Sequence, residues 1–175
     1  MPDRSSQCGV SLIEVLVAML VLSVGLMGAG GMLAMSARST HSAYLRSQVT
    51  LLAQGMADRM QANPLAVWSG DYDGVYPGAA LRDCATGCTP NQLAAYDKGA
   101  WSSQLAALLT ADTRASIACN SSGLAYLPTA EQLALRPPFG GSCRMTVRWI
   151  EQGIGALGFA DGGHARQTFA WEFQP

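Results

Sequence analysis

The feature that most constrains this chain is an uncharged apolar run near its N-terminus. No Asp, Glu, Lys or Arg occurs from Val15 to Ala37. A helix over this run would be about 34 Å long at 1.5 Å per residue, enough to cross a hydrocarbon core of roughly 30 Å. The hydrophobic region of a secretory signal is shorter, at about 7–15 residues. The run therefore predicts a membrane-spanning helix that stays on the protein.

The composition of the chain limits its function classes. The formal net charge of the 175 residues is −1, and charged residues make up 13% of them, about half the usual share of roughly 25%. Nucleic-acid binding through phosphate contacts needs a basic surplus, which is absent, so we do not expect it as the main activity. The residues after the apolar run are rich in Gly, Pro, Ser and Ala. We therefore expect an apolar helix followed by a globular head.

A single carboxylate, Glu14, stands at the edge of the apolar run. A carboxylate in lipid is costly, by about 2.5–3.5 kcal/mol at the centre of a span and less near its end. Two interpretations follow. Glu14 is either solvated at the level of the lipid headgroups or a functional group that needs a charged partner.

The residues around Glu14 carry a family resemblance. The segment Gly9-Val10-Ser11-Leu12-Ile13-Glu14, followed by an apolar helix, resembles the processing site of type IV pilins and type II secretion pseudopilins. The resemblance implies that a prepilin peptidase removes residues 1–9 by cutting between Gly9 and Val10, and that Val10 is then N-methylated. It also implies that the Glu14 carboxylate pairs with the N-terminal amine of a neighbouring subunit. Val10 departs from the phenylalanine usual at this position.

Helical periodicity continues after the apolar run. Apolar residues recur at steps of three and four up to Pro64, namely Leu45, Val49, Leu52, Met56 and Met60. This spacing predicts an amphipathic helix, and proline disfavours helical geometry in the residue before it. We expect one helix from about residue 10 to about 62, with residues 10–36 as the transmembrane and assembly segment and 37–63 as its amphipathic half.

Residues 64–175 are predicted to form the head. Residues 64–88 are rich in turn-forming residues, and we interpret this segment as a loop. Within it, we interpret the Asp71-Tyr72-Asp73-Gly74 run as a turn rather than a calcium loop. Thr89 as N-cap, Pro90 and Gln92 predict a helix over about 90–110. Its predicted apolar face consists of Leu93, Tyr96, Ala100, Trp101, Leu105, Leu108 and Leu109. Alternation predicts strands at about 143–151 and 167–174 that form an antiparallel hairpin.

Four cysteines belong to the head, and the fifth, Cys8, would leave with the leader. The C-x₃-C spacing of Cys84 and Cys88 does not match the C-x₂-C of most zinc and redox sites. The compartment beyond the membrane is oxidising, so disulfides are expected. Three pairings are possible. We favour Cys84–Cys88, which closes a tight loop before the second helix, and Cys119–Cys143, which ties the middle segment to the first hairpin strand.

The expected fold class is α+β and pilin-like: one long helix packed against a head with a second helix and a C-terminal antiparallel sheet. The Cys84–Cys88 spacing, the segment Ala94 to Trp101 and the later Val147-Arg148-Trp149 strand resemble the PilV-type minor pilins. This subfamily resemblance implies a non-catalytic role in pilus assembly, from the inner membrane with a periplasmic head to the pilus tip or cell surface.

The partners implied by the resemblance are the prepilin peptidase, other minor pilins, the major pilin and the inner-membrane assembly platform. A type II secretion minor pseudopilin is the alternative, and a tip adhesin or DNA-binding module is a further one. We expect no catalytic residues, no metal site and no cofactor, because no nucleophile–base set or paired catalytic carboxylates stand out. The two histidines, His41 and His164, lack partners at metal-ligand spacing.

Overall fold

The computed structural model describes residues 9–76, 83–109, 112–122, 126–152 and 164–175. The chain forms two compact units, the first ending at His41 and the second beginning at Ser42. A single helix, α1 (Leu12–Ala62), contributes to both units. Cys8 and most of the predicted Gly-rich connection between the last two strands lie outside the described residues.

The second half of α1 supplies one wall of the core of the head. Its buried residues are Val49, Ala53, Met56, Ala57 and Met60. They share one face of the helix, which agrees with the predicted amphipathic half, while the predicted Leu45 and Leu52 are only half-buried. The helix ends at Ala62, just before Asn63 and Pro64, as expected from the constraint that proline places on the preceding residue.

The interpretation of residues 64–88 as a loop is wrong for two parts of that segment. A short helix, α2 (Pro64–Trp68), begins at the proline, which suits the first turn of a helix because that position needs no amide donor. A three-residue strand, β1 (Gly74–Tyr76), follows and pairs with a strand about 40 residues further along the chain. Three residues are too few to show alternation, so only this distant partner defines the strand.

The second long helix of the head is α3 (Pro90–Leu108), which ends two residues earlier than predicted. Its start agrees with the prediction, since the Thr89 amide donates to the Gln92 side chain at 3.1 Å. The predicted apolar face is wrong in part, because Leu93 and Ala100 are only half-buried and Tyr96 is 37% exposed. The face directed to the core instead follows steps of three and four through Ala94, Asp97, Trp101 and Leu105.

The head contains a four-stranded antiparallel sheet in the order β1-β2-β3-β4. Strand β2 spans Arg114–Asn120, β3 spans Ser142–Gln152 and β4 spans His164–Phe173, with the four-residue helix α4 (Ala130–Leu133) between β2 and β3. The long helix, the short helices and this sheet confirm the predicted α+β, pilin-like arrangement.

The inner face of the sheet completes the core. Met145, Val147 and Trp149 of β3 are buried while Arg144 and Arg148 are exposed, as the alternation predicted. Three partly buried aromatic residues of β4 pack against the core and pair with buried residues of β3. The pairs are Phe169 with Val147, Trp171 with Met145 and Phe173 with Cys143. Trp101 of α3 is also buried, and its indole Nε1 donates to the Leu52 carbonyl of α1 at 3.1 Å. That bond fixes α3 against the long helix.

Candidate processing and assembly site

The segment predicted to be cut is accessible and non-helical. Gly9, Val10 and Ser11 precede the first helical residue, and all three are exposed. The Ser11 carbonyl accepts hydrogen bonds from the Glu14 and Val15 amides at 3.0 and 3.3 Å, so the hydrogen bonds of the helix begin at Ser11. A peptidase could therefore reach the Gly9–Val10 bond without unwinding α1. Cleavage there and methylation of Val10 stay predictions.

Glu14 lies in the first turn of α1 and is exposed. The first turn of a helix carries free amide N–H groups and a partial positive charge, both of which favour a carboxylate. Among the described residues, no side chain forms a hydrogen bond or ion pair with Glu14. The structure thus places the carboxylate at the start of the apolar surface, where a group from another molecule can approach it.

The first unit exposes an apolar surface that the described residues leave uncovered. Every residue from Leu12 to His41 is exposed. Within the described part of the chain, α1 is the one helix long and apolar enough to span a membrane, with a mean hydropathy of 2.4 in its most apolar window. Soluble monomers rarely leave so large an apolar surface in contact with water. Lipid or other helices must therefore cover it.

Four glycines, Gly25, Gly28, Gly30 and Gly31, lie within this surface. A Cβ atom added at any of them would meet no atom within 4 Å. Nothing in the described part of the chain therefore requires glycine at these positions. Glycines in membrane helices allow neighbouring helices to pack closely, and each costs an isolated helix roughly 0.8–1 kcal/mol relative to alanine.

A buried polar cluster holds the start of the head together. The Tyr72 hydroxyl donates to the Asp97 carboxylate at 2.8 Å, and the Asn63 amide donates to the Tyr72 oxygen at 3.2 Å and to the Pro90 carbonyl at 2.8 Å. The Arg59 guanidinium lies 3.6 Å from the Asp97 carboxylate. These contacts connect α1, the residues after α2, and α3. They give the cluster a structural role.

Burial dominates the electrostatics of this cluster. Burial raises the pKa of Asp97 above its usual range, although the Tyr72 hydroxyl and the Arg59 charge act in the opposite direction. The pKa of Tyr72 is raised by burial and by its bond to Asp97. The pKa of Tyr76, whose hydroxyl donates to the Tyr72 carbonyl at 2.6 Å, is also raised by burial. The two tyrosines therefore remain neutral hydrogen-bond donors at neutral pH.

Sequence reasoning missed this cluster, although one signal was present. Asp97 follows Ala94 by three residues and precedes Trp101 by four, so it lies on the buried stripe of α3. A carboxyl group on such a stripe needs buried partners. Tyr72 and Asn63 lie outside α3, and no periodicity in the sequence connects them to it.

Two disulfides are present in the head. Cys84 is bonded to Cys88, and Cys119 is bonded to Cys143, whose side chain is fully buried. Cys119 stands directly opposite Cys143 in the register of β2 and β3, so the second disulfide joins two neighbouring strands. The first closes a short loop that leads into α3. Neither pair is available to ligate a metal, and the described residues contain no group of three or more potential metal ligands.

An open cleft of about 440 Å³ lies in the head. It is lined by Met60, Gln61, Pro64, Pro138, Phe139, Gln174 and Pro175. None of the side chains among these residues is an acid or a base. The cleft therefore offers apolar contact together with the two amide side chains of Gln61 and Gln174.

Comparison with known proteins supports the interpretation of the N-terminus. Residues 4–30 match the family model of the prokaryotic N-terminal methylation motif. This range contains Gly9, Val10, Glu14 and most of the uncharged run. No curated protein and no solved structure matches the chain.

The matched motif supports a type IV pilin-like prepilin. It implies processing by a prepilin peptidase and assembly in the membrane with other pilins. The motif and the apolar helix together fit a single-pass protein of the inner membrane. A pilin-type motif also indicates a structural protein.

Proposed function

We propose that this chain is a minor pilin of the PilV type that takes part in type IV pilus biogenesis. The observation that carries the proposal is the match of the methylation motif to the start of a helix whose surface is uncharged and uncovered from Val15 to Ala37. The helix anchors the subunit in the inner membrane with its head in the periplasm. It then packs among other pilin helices, and the subunit helps to start assembly at or near the tip.

Processing is the first step of the proposed mechanism. The prepilin peptidase cuts between Gly9 and Val10, and Val10 is N-methylated. The exposure of residues 9–11 and the start of α1 at Leu12 support this order, because the cut leaves the helix intact. Cys8 leaves with the leader, so the mature chain keeps only the four cysteines of the two disulfides.

Pairing of Glu14 is the second step. Once the helix is packed among apolar helices, a lone carboxylate is unfavourable, and leaving one member of a buried ion pair alone costs about 3–5 kcal/mol. The N-terminal amine of a neighbouring subunit supplies the opposite charge. The exposure of Glu14 and its lack of a side-chain partner in the described part of this chain support pairing between subunits.

The head acts as an interaction module. Its partners are other minor pilins, the major pilin and the inner-membrane assembly platform. The subfamily assignment is supported by the Cys84–Cys88 loop directly before α3 and by the burial of Trp101 and Trp149, which are residues of the PilV-like segments.

Mass spectrometry of the protein recovered from sheared pili tests the proposal. We expect the mature chain to begin at Val10, and its mass to correspond to one added methyl group and two disulfides. Glu14→Ala should still be cleaved but should be depleted from pili more than a hundredfold, as expected when a buried charge pair loses one member. Asp58→Ala, which removes an exposed carboxylate elsewhere on α1, is the matched control and should assemble normally.

Three outcomes would each contradict part of this proposal. Normal assembly of Glu14→Ala would exclude the role of that carboxylate. Absence of the protein from pili, together with loss of enzyme secretion and intact twitching motility on deletion, would instead assign the chain to a type II secretion pseudopilus. An adhesin or DNA-binding module at the tip would require that deletion leave pilus number unchanged while it abolishes attachment or DNA uptake.

A further inference from the structure

Three exposed arginines lie at one end of the outer face of the sheet. They are Arg114 on β2, Arg148 on β3 and Arg166 on β4, and we name them the arginine patch. Arg114 stands directly opposite Arg148, and Arg166 is the diagonal neighbour of Arg148 on the other side, since Arg148 pairs with Thr168. Opposite residues on one face have Cβ atoms about 4.5–5.5 Å apart and diagonal ones roughly 7–8 Å. The three positive charges therefore share one small surface.

No carboxylate of the described residues neutralises the arginine patch. The ion pairs in that part of the chain are Arg59–Asp97 and Arg144–Glu172, and neither involves the patch. Arg144 lies on the same face towards the other end of β3, where Glu172 stands directly opposite it at 3.2 Å. Like charges placed opposite each other destabilise a sheet, and arginine does not lose its proton near neutral pH. An anionic ligand would remove this repulsion.

The arginine patch lies at the end of the sheet where the chain enters the head. Glu151, three residues after Arg148, accepts a hydrogen bond from the Ser42 hydroxyl at 2.8 Å. Gln167, next to Arg166, accepts one from the Arg46 side chain. Ser42 is the first residue of the head unit. Only five peptide steps separate it from Ala37, the last residue of the uncharged run, and five steps reach at most about 18 Å.

We propose that the arginine patch binds the phosphate groups of anionic phospholipids in the membrane that holds α1. Guanidinium groups donate paired hydrogen bonds to phosphate oxygens, and each arginine near an anionic surface strengthens attraction by roughly fivefold. Phospholipid is favoured as the ligand because Ser42, the head residue that contacts this end of the sheet, is only five peptide steps from the uncharged run. This inference requires only that the chain is anchored in a membrane, and it does not depend on a role in pili.

Arginine-directed labelling of the full chain in lipid vesicles tests this proposal. The chain is reconstituted in phosphatidylcholine alone or with about one third phosphatidylglycerol, and a dicarbonyl reagent labels exposed arginines, which are quantified by peptide mass spectrometry. We expect Arg114, Arg148 and Arg166 to react at least fivefold more slowly in the anionic vesicles. The protection should disappear at about 0.5 M salt, which screens charges within a few ångströms. Arg144 is the internal control and should react equally in both vesicles.

Two variants distinguish lipid binding at the arginine patch from unspecific protection of all arginines near the vesicle. Arg148→Gln should abolish most of the protection of Arg114 and Arg166, while Arg144→Gln should leave it unchanged. Equal labelling in both vesicles, or equal protection of Arg144, would overturn the proposal. So would protection that requires added pilin subunits and is equal in both vesicles, because that result would identify an acidic protein surface as the ligand. Failure of any kind here would leave cleavage after Gly9 and the Glu14 result unaffected.

Discussion

Removal of the two disulfides should destabilise the head by different amounts. The perturbation is a pair of double variants, Cys119→Ala/Cys143→Ala and Cys84→Ala/Cys88→Ala. The first removes the link between β2 and β3, and the second removes the short loop before α3. Alanine is preferred to serine because Cys143 is fully buried, where a hydroxyl group without a partner would add a separate cost.

The expected magnitudes follow from the loops that the disulfides close. A sequence separation of 24 between Cys119 and Cys143 restricts the unfolded chain by about 3.5 kcal/mol in the chain-entropy relation. A separation of 4 between Cys84 and Cys88 gives about 2 kcal/mol. Loss of the buried Cys143 sulfur from the core adds to the first figure, on the order of 1 kcal/mol. We therefore expect the first variant to lose about 2.5 kcal/mol more than the second.

The assay is urea unfolding of the full chain in detergent, followed by tryptophan fluorescence. All four tryptophans, at positions 68, 101, 149 and 171, belong to the head unit, so the signal reports only on the head. The free energies of unfolding can be compared only if the variants expose similar surface on unfolding, so the slope of the free energy against urea concentration is checked for each variant. Equal destabilisation of the two variants, or a larger loss on removal of Cys84–Cys88, would refute the reasoning from loop length.

Two further substitutions probe the packing and the charge of the head. Gly141→Ala should destabilise the head by about 1–3 kcal/mol in urea unfolding, because the new Cβ would lie 2.2 Å from the Asn120 carbonyl oxygen. Gly55→Ala is the control, since a Cβ at this helical position meets open space, and it should stabilise the head by up to about 1 kcal/mol. Asp97→Asn should remove a pH dependence of the free energy of unfolding. Burial raises the pKa of Asp97 in the folded state, so the wild type should gain stability relative to the variant as the pH falls from neutral towards 4. A relative gain as the pH rises would contradict the burial argument.

The parts of the fold that were predictable are those specified by local periodicity. The uncharged run and the spacing of Val49, Met56 and Met60 predicted α1, and strict alternation around Val147 predicted β3. These patterns repeat over many residues, and burial of one face explains them directly. The start of α3 was predictable for another reason, since Thr89, Pro90 and Gln92 form a local capping pattern.

The parts that were not predictable depend on distant contacts. Strand β1 exists because Val75 pairs with Ser116, and no local pattern indicates this. The face of α3 was predicted wrongly in part because a search for apolar residues leaves out Asp97, whereas Tyr72 and Arg59 allow this carboxyl group to be buried. The arginine patch was visible only in part, since Arg148 was noted on its strand but the register that places Arg114 beside it was unknown.

The proposed cleavage would create the positive charge with which Glu14 is proposed to pair. In the uncut chain the nitrogen of Val10 is part of a peptide bond and carries no charge. Cutting after Gly9 converts it into an ammonium group two residues ahead of Leu12, at the positive end of the α1 dipole, where a second positive charge is unfavourable. In the proposed pairing, a carboxylate from an adjacent subunit offsets that charge. The uncut precursor has no charge on the nitrogen of Val10, so it could not form this pair. Under the proposal, only cleaved subunits would therefore join the filament through Glu14.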